Sequence, residues 1–96
     1  HLYYTRKFVV DFAGASLAGL VGADKVEPVI DASRGIVEAA AARPLGELGG
    51  WRASFDLRPP DDSQEPIDLR LFLRKGNQAL TETWVYQWFP TSRRRG

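Results

Sequence analysis

Along residues 6–12 the apolar side chains Phe8, Val10 and Phe12 alternate with Lys7, Val9 and Asp11, the two-residue period of a strand that turns one face to a core. The same period recurs at residues 51–57. There Trp51, Ala53, Phe55 and Leu57 share one side and Arg52, Ser54 and Asp56 the other. Residues 67–74 repeat it with Ile67, Leu69, Leu71 and Leu73 inward. In residues 80–88, Trp84, Tyr86 and Trp88 fall on one face and Thr83, Val85 and Gln87 on the opposite one.

Breakers separate these runs. Residues 13–16 interrupt the alternation, and residues 17–22 are short and small, open to either a helical turn or a loop. Residues 26–31 are β-branched, but Pro28 cannot donate to a ladder, which restricts the segment to an edge strand or a bulge. Ser33, Arg34 and Gly35 read as a turn, Gly76 and Asn77 as another, and the proline-bounded residues 58–66 as a polar loop. Residues 36–43 carry four consecutive alanines from Ala39, and alanine has the best helix propensity. The segment is nevertheless too short for an independent helix and lies between strand-like neighbours, so a strand is expected. Six or seven short strands and no long helix predict an all-β fold, an antiparallel immunoglobulin-like β-sandwich.

A chain of 96 residues, 44% hydrophobic and 26% charged, suits one globular domain. The expected core spans residues 6–90, with 91–96 a flexible basic tail carrying Arg93, Arg94 and Arg95. Thirteen Lys and Arg against twelve Asp and Glu leave a formal charge of +1. No broad field for nucleic acid follows, and no apolar run is long enough to insert in a membrane. With no cysteine, and His1 as the lone histidine, thiolate chemistry and an internal Ser–His or Cys–His pair are excluded. Catalytic residues, metal ligands and cofactors are accordingly expected to be none. The sequence also lacks methionine, so it reads as a piece excised or processed from a longer protein.

The carboxylates on expected strands are Asp11, Asp56, Asp68 and Glu82. Asp56 and Asp68 sit on polar faces near Arg52, Arg70 and Arg74 and read as cross-strand surface pairs. Asp11 and Glu82 interrupt apolar strands and suggest specific partners such as Arg6 or Arg34. Asp61, Asp62 and Ser63 lack the alternating oxygen ligands of a calcium loop. Gly49 and Gly50 lack a following helix and read as a turn, not a phosphate cradle. Trp51, beside Phe55 and Leu57, is a core residue. Tyr3, Tyr4, Tyr86, Trp88 and Phe89 are the candidates for contact with a carbohydrate or a neighbouring domain, because tyrosine and tryptophan combine a large apolar area with a polar handle.

The run Arg6 to Phe12 with Gly14 and Leu17, then Ser33-Arg34-Gly35, Gly49 to Arg52 with Phe55, Leu69 to Arg74, and Glu82 to Gln87 together resemble the carboxy-terminal domain of the periplasmic glucans biosynthesis proteins G and D. The resemblance covers about residues 6–90 and departs at Ala15 and the alanine run. It implies a periplasmic bacterial protein of two domains. A large amino-terminal β-sandwich binds glycan and carries the glycosidase or transglycosylase type of chemistry on β-1,2-linked osmoregulated glucans, and a small immunoglobulin-like domain follows. This chain would be the accessory domain, not itself an enzyme, with the amino-terminal glycan-binding domain as partner and β-glucan as a further one. An autonomous carbohydrate-binding module and an immunoglobulin-like protein-interaction domain are the alternatives.

Overall fold

A computed structural model describes residues 5–17, 19, 20, 24–46 and 49–90. Among them, strands β1 (Arg6–Phe12), β2 (Val26–Ala32), β3 (Ile36–Pro44), β4 (Trp51–Arg58), β5 (Ile67–Lys75), β6 (Gln78–Ala79) and β7 (Trp84–Trp88) form two antiparallel sheets, with one 3-10 turn at Ala15–Leu17 and no α-helix. The first sheet has the order β1-β4-β3. In the second, β2 pairs with one edge of β5, while β7 and β6 share its other edge, opposite Ile67–Leu71 and Arg74–Lys75 respectively. The all-β antiparallel sandwich read from the sequence is the fold observed.

β4 and β5 are the central strands, and their alternation becomes the core. Ala53, Phe55, Leu57, Ile67, Leu71 and Leu73 are fully buried, with Trp51, Leu69, Leu17, Val26 and Trp88 around them. Registers carry the pattern outward. Phe8 lies opposite Phe55, Val10 opposite Ala53 and Phe12 opposite Trp51. Trp84, Tyr86 and Trp88 lie opposite Leu71, Leu69 and Ile67. Phe8 stacks on Phe55 at 5.2 Å and meets Trp88 edge-on at 5.5 Å, so β1 of one sheet faces β7 of the other.

The alanine run is strand, as expected, but not a regular one. Register shifts between Glu38, opposite Asp56, and Ala41, opposite Ser54, so two alanines stand against one residue of β4. Ala39 takes the left-handed conformation, with φ of 55°. Pairing with β4 overrides helix propensity, and small side chains lower the steric cost of the bulge. Pro28 lies in β2, an edge strand.

Of the single strand expected over residues 80–88, only Trp84–Trp88 (β7) is strand; residues 80–83 are a break that separates it from β6. Leu80 donates to the Leu73 carbonyl at 2.8 Å, and the Leu73 N–H is then taken at 3.1 Å by the Thr81 hydroxyl instead of a backbone carbonyl. Two turns depend on glycine. A Cβ on Gly35, at φ of 89°, would approach the Arg58 carbonyl oxygen to 2.7 Å, and one on Gly50 would collide with the carbonyl oxygen of Phe12.

Candidate functional site

The seam where β1 and β7 meet is the most aromatic part of the surface. Phe8 is its hub, touching Phe55, Trp88 and, at 6.3 Å, the ring of Tyr86. Tyr86 in turn stacks on Trp84 at 5.6 Å with planes 15° apart. Trp88 is 7% exposed and belongs to the core, whereas Tyr86 is 48% and Phe89 61% exposed. Residues two apart on one strand face thus split between folding and surface, because β7 runs along the sandwich edge and leaves its midpoint uncovered. Tyr3 and Tyr4 lie outside the described residues. Phe8 was missed as a contact candidate. Its place in the alternation of β1 signalled only an inward side chain, not one at an open edge.

At one end of the seam a cleft of about 340 Å³ opens between Val10, Asp11, Phe12 and Ala13 on one side and Thr81, Glu82, Thr83 and Trp84 on the other. Glu82 is exposed there, and its backbone carbonyl accepts the Thr81 hydroxyl at 2.8 Å. Asp11 turns away to the outer face and accepts two hydrogen bonds from Arg52, at 2.7 and 3.0 Å. The hydrogen-bonded Arg52 guanidinium holds the Asp11 carboxyl below the usual carboxylate range, against the opposing effect of desolvation. A carboxylate so held stays ionised near neutral pH and is a poor proton donor.

Asp56, Asp61 and Asp68 are cross-strand or loop ligands, and the ion-pair partners differ from those expected. Asp11 pairs with Arg52 and not with Arg6 or Arg34. Asp56 pairs with Lys7 at 3.5 Å, and Asp68 accepts from the Gln87 amide at 2.9 Å. Arg34 instead ties down the loop of residues 58–66, reaching Asp61, Ser63 and the carbonyl of Glu65. The Ser63 N–H bonds to Asp61 and is the main reason that this carboxyl is also shifted down. Asp61 is therefore engaged within the protein. Among the described residues no group of three or more His, Cys, Asp or Glu side chains is gathered to hold a metal ion.

The whole length of this seam and its supporting strands falls within a family match. A family model for the periplasmic glucan biosynthesis protein MdoG covers residues 1–88. The chain belongs to this family. It is 56% identical over 88 residues to glucans biosynthesis protein D of Stenotrophomonas maltophilia, which takes in 92% of this chain and 16% of that protein. It is 52% identical to the probable glucans biosynthesis protein D of Shewanella oneidensis over the same shares, and 53% identical over 90 residues to glucans biosynthesis protein D of Xanthomonas campestris pv. campestris. The chain thus spans about one sixth of the length of these relatives, 16% to 17%. The family's name refers to periplasmic glucan biosynthesis, and these relatives are named as glucans biosynthesis proteins.

Proposed function

We propose that this chain is the carboxy-terminal accessory domain of a periplasmic protein that makes or processes osmoregulated β-1,2-linked glucans. In this reading it performs no chemistry itself and packs on the larger glycan-binding domain. The observation that carries the reading is the seam. Tyr86 on β7 and Phe89 just past its end are rings about half or more exposed, and Tyr86 stacks on the half-buried Trp84 and meets the half-buried Phe8. Clustered apolar exposure of this kind marks an interface, and tyrosine at its centre is a common anchor. Asp11, Asp56, Asp61 and Asp68 are paired or hydrogen-bonded in ways that serve the fold, which supports placing glycoside chemistry in the remainder of the protein.

Co-purification tests this. The separately expressed large domain is expected to retain this chain, and a Tyr86→Ala, Phe89→Ala double variant is expected to elute free while keeping its β-sheet circular dichroism. Retention of the folded double variant as tightly as the wild type overturns the assignment of the seam. Saturable binding of β-1,2-glucan by the chain alone, lost in the same variant, would instead establish a carbohydrate-binding module.

A further inference from the structure

Among the described residues the two sheets have four lateral edges without a partner strand, and the hydrogen-bond phase of each can be worked out. Leu45 donates to Gly50 at 2.8 Å, so Gly50 faces β3. By alternation, Arg52, Ser54 and Asp56 also face β3, and Trp51, Ala53, Phe55 and Leu57 face β1. Their register partners Phe12, Val10, Phe8 and Arg6 turn their backbone groups to β4. Lys7, Val9 and Asp11 therefore direct their N–H and C=O groups away from the sheet. The Ser33 N–H bonded to Asp68 fixes β2 in the same way, leaving Val26, Pro28, Ile30 and Ala32 pointing outward.

Three of the four edges are blunted. Pro28 sits at an outward position of β2, where its missing N–H interrupts any further ladder. β3 carries the Ala39 bulge, and Pro44 is again at an outward position. The fourth lane is broken between Ala79 and Trp84, and β7 offers the outward groups of Val85 and Gln87 before Phe89 and Pro90. Such devices are how sheets avoid edge-to-edge pairing. β1 has none of them. It is seven residues long, without proline, glycine or register shift. Its two charged edge residues do not stand guard either. Lys7 leans onto Asp56 and Asp11 is clamped to Arg52, both toward β4, leaving Val9 between them 51% exposed.

The geometry points to β1 as a strand-accepting edge: an extended segment of the full-length polypeptide, outside these 96 residues, pairs with the outward N–H and C=O groups of Lys7, Val9 and Asp11. This rests on the accessory-domain reading and on the five sixths of the relatives' length that the chain does not span. The alternation of β1 sets the chemistry of the incoming strand. Side chains opposite Phe8 and Val10 point inward and are apolar, covering Tyr86 and entering the cleft beside Trp84. Those opposite Lys7 and Asp11 point outward and are polar. One added strand thus closes the open edge and the aromatic seam together.

Hydrogen exchange in the full-length protein, resolved to single amides by electron-transfer fragmentation, tests the pairing. The Lys7, Val9 and Asp11 amides are expected to exchange at least roughly 100-fold more slowly than Ile30 and Ala32 on the blunted β2 edge. A Val9→Pro variant, which removes one outward N–H and leaves the β4 side intact, is expected to deprotect Lys7 and Asp11 while Phe8 and Val10 stay slow. If the outward β1 amides exchange as fast as those of β2 in the wild type, the inference is wrong, whether or not the proline variant folds. Protection that grows with protein concentration alongside a doubling of mass assigns the edge to a second copy and also overturns it. The failure of this inference is separable from that of the docking reading: fast β1 amides together with loss of co-purification in the Tyr86, Phe89 double variant would leave side-chain docking standing without strand addition.

Discussion

Trp88 and Tyr86 project from the same face of β7 and both touch Phe8, yet one is 7% and the other 48% exposed. Truncating them separates the seam's structural part from its surface part. A buried aromatic removes about 150–250 Å² from water, and at about 25 cal/mol per Å², reduced for a compact unfolded state, Trp88 contributes about 3–5 kcal/mol. That matches the usual cost of about 3–5 kcal/mol for deleting a core aromatic. Tyr86 buries about half as much, so its truncation should cost about 2 kcal/mol. Phe89, more exposed still and beyond the strand, should cost below about 1 kcal/mol. Urea unfolding of the chain followed by far-ultraviolet circular dichroism reads these values from midpoints at a common slope. Since a domain of this size has a total stability of about 5–15 kcal/mol, Trp88→Ala should leave it marginal and Tyr86→Ala should not. Equal losses of about 3–5 kcal/mol for Tyr86→Ala and Trp88→Ala would refute the reasoning, because Tyr86 would then be a core residue and the interface would have to lie elsewhere.

Three other outcomes follow from particular positions. Gly50→Ala should destabilise the chain by more than about 2 kcal/mol, since its Cβ meets the immovable carbonyl of Phe12, whereas Gly76→Ala, with open space around it, should show only the strain of its positive φ; equal midpoints for the two in urea contradict the close approach. Ala39→Gly should hold or raise stability by up to about 1 kcal/mol by relieving a left-handed alanine, while Ala40→Gly should lower it by about 0.5–1 kcal/mol, so the opposite order of melting temperatures would place the bulge elsewhere. Asp11 and Asp61 both have carboxyls shifted down in the fold, so their stabilisation is present above the ordinary carboxylate range and is lost as pH falls through the lowered values; an Asp11→Asn, Asp61→Asn variant should lose less stability on acidification than the wild type, and parallel curves would remove these two groups from the acid response.

The strands whose alternation was strongest in sequence are those that ended in the middle of sheets. β4 and β5 have apolar residues at every second position, because both of their edges are paired and one face of each is sealed. Pro28 announced an edge by chemistry alone. What remained illegible was relational. Alanine at 39–42 says that bulk is absent, and it takes the partner strand to show that two of these residues oppose one. The break at residues 80–83 depends on a threonine hydroxyl substituting for a carbonyl, which the run of polar residues there does not specify. Ion-pair partners were misassigned for the same reason. Asp11 meets Arg52 because Phe12 is registered opposite Trp51, and that register comes from packing. Of the contact candidates among the described residues, Tyr86 and Phe89 are exposed and Trp88 is buried; the sequence periodicity put Tyr86 and Trp88 on one face without saying that β7 would be an edge.

An edge position has a thermodynamic consequence. Tyr86 and Phe8 belong partly to the domain's own packing and partly to the surface proposed for docking, so whatever covers them stabilises the fold by mass action. A domain whose core is completed by its neighbour has less reason to carry a large reserve of its own. This agrees with the organisation of the sandwich: without disulfides, it seals its central strands completely and leaves one long edge and one row of rings unfinished on the same side. The unfolding midpoint of Trp88→Ala should therefore recover in part when the domain sits in the full-length protein, and the midpoint of Tyr86→Ala should recover less, because that substitution damages the contact through which the neighbour acts. Recovery of both to the same extent would separate the neighbour's influence from the seam altogether.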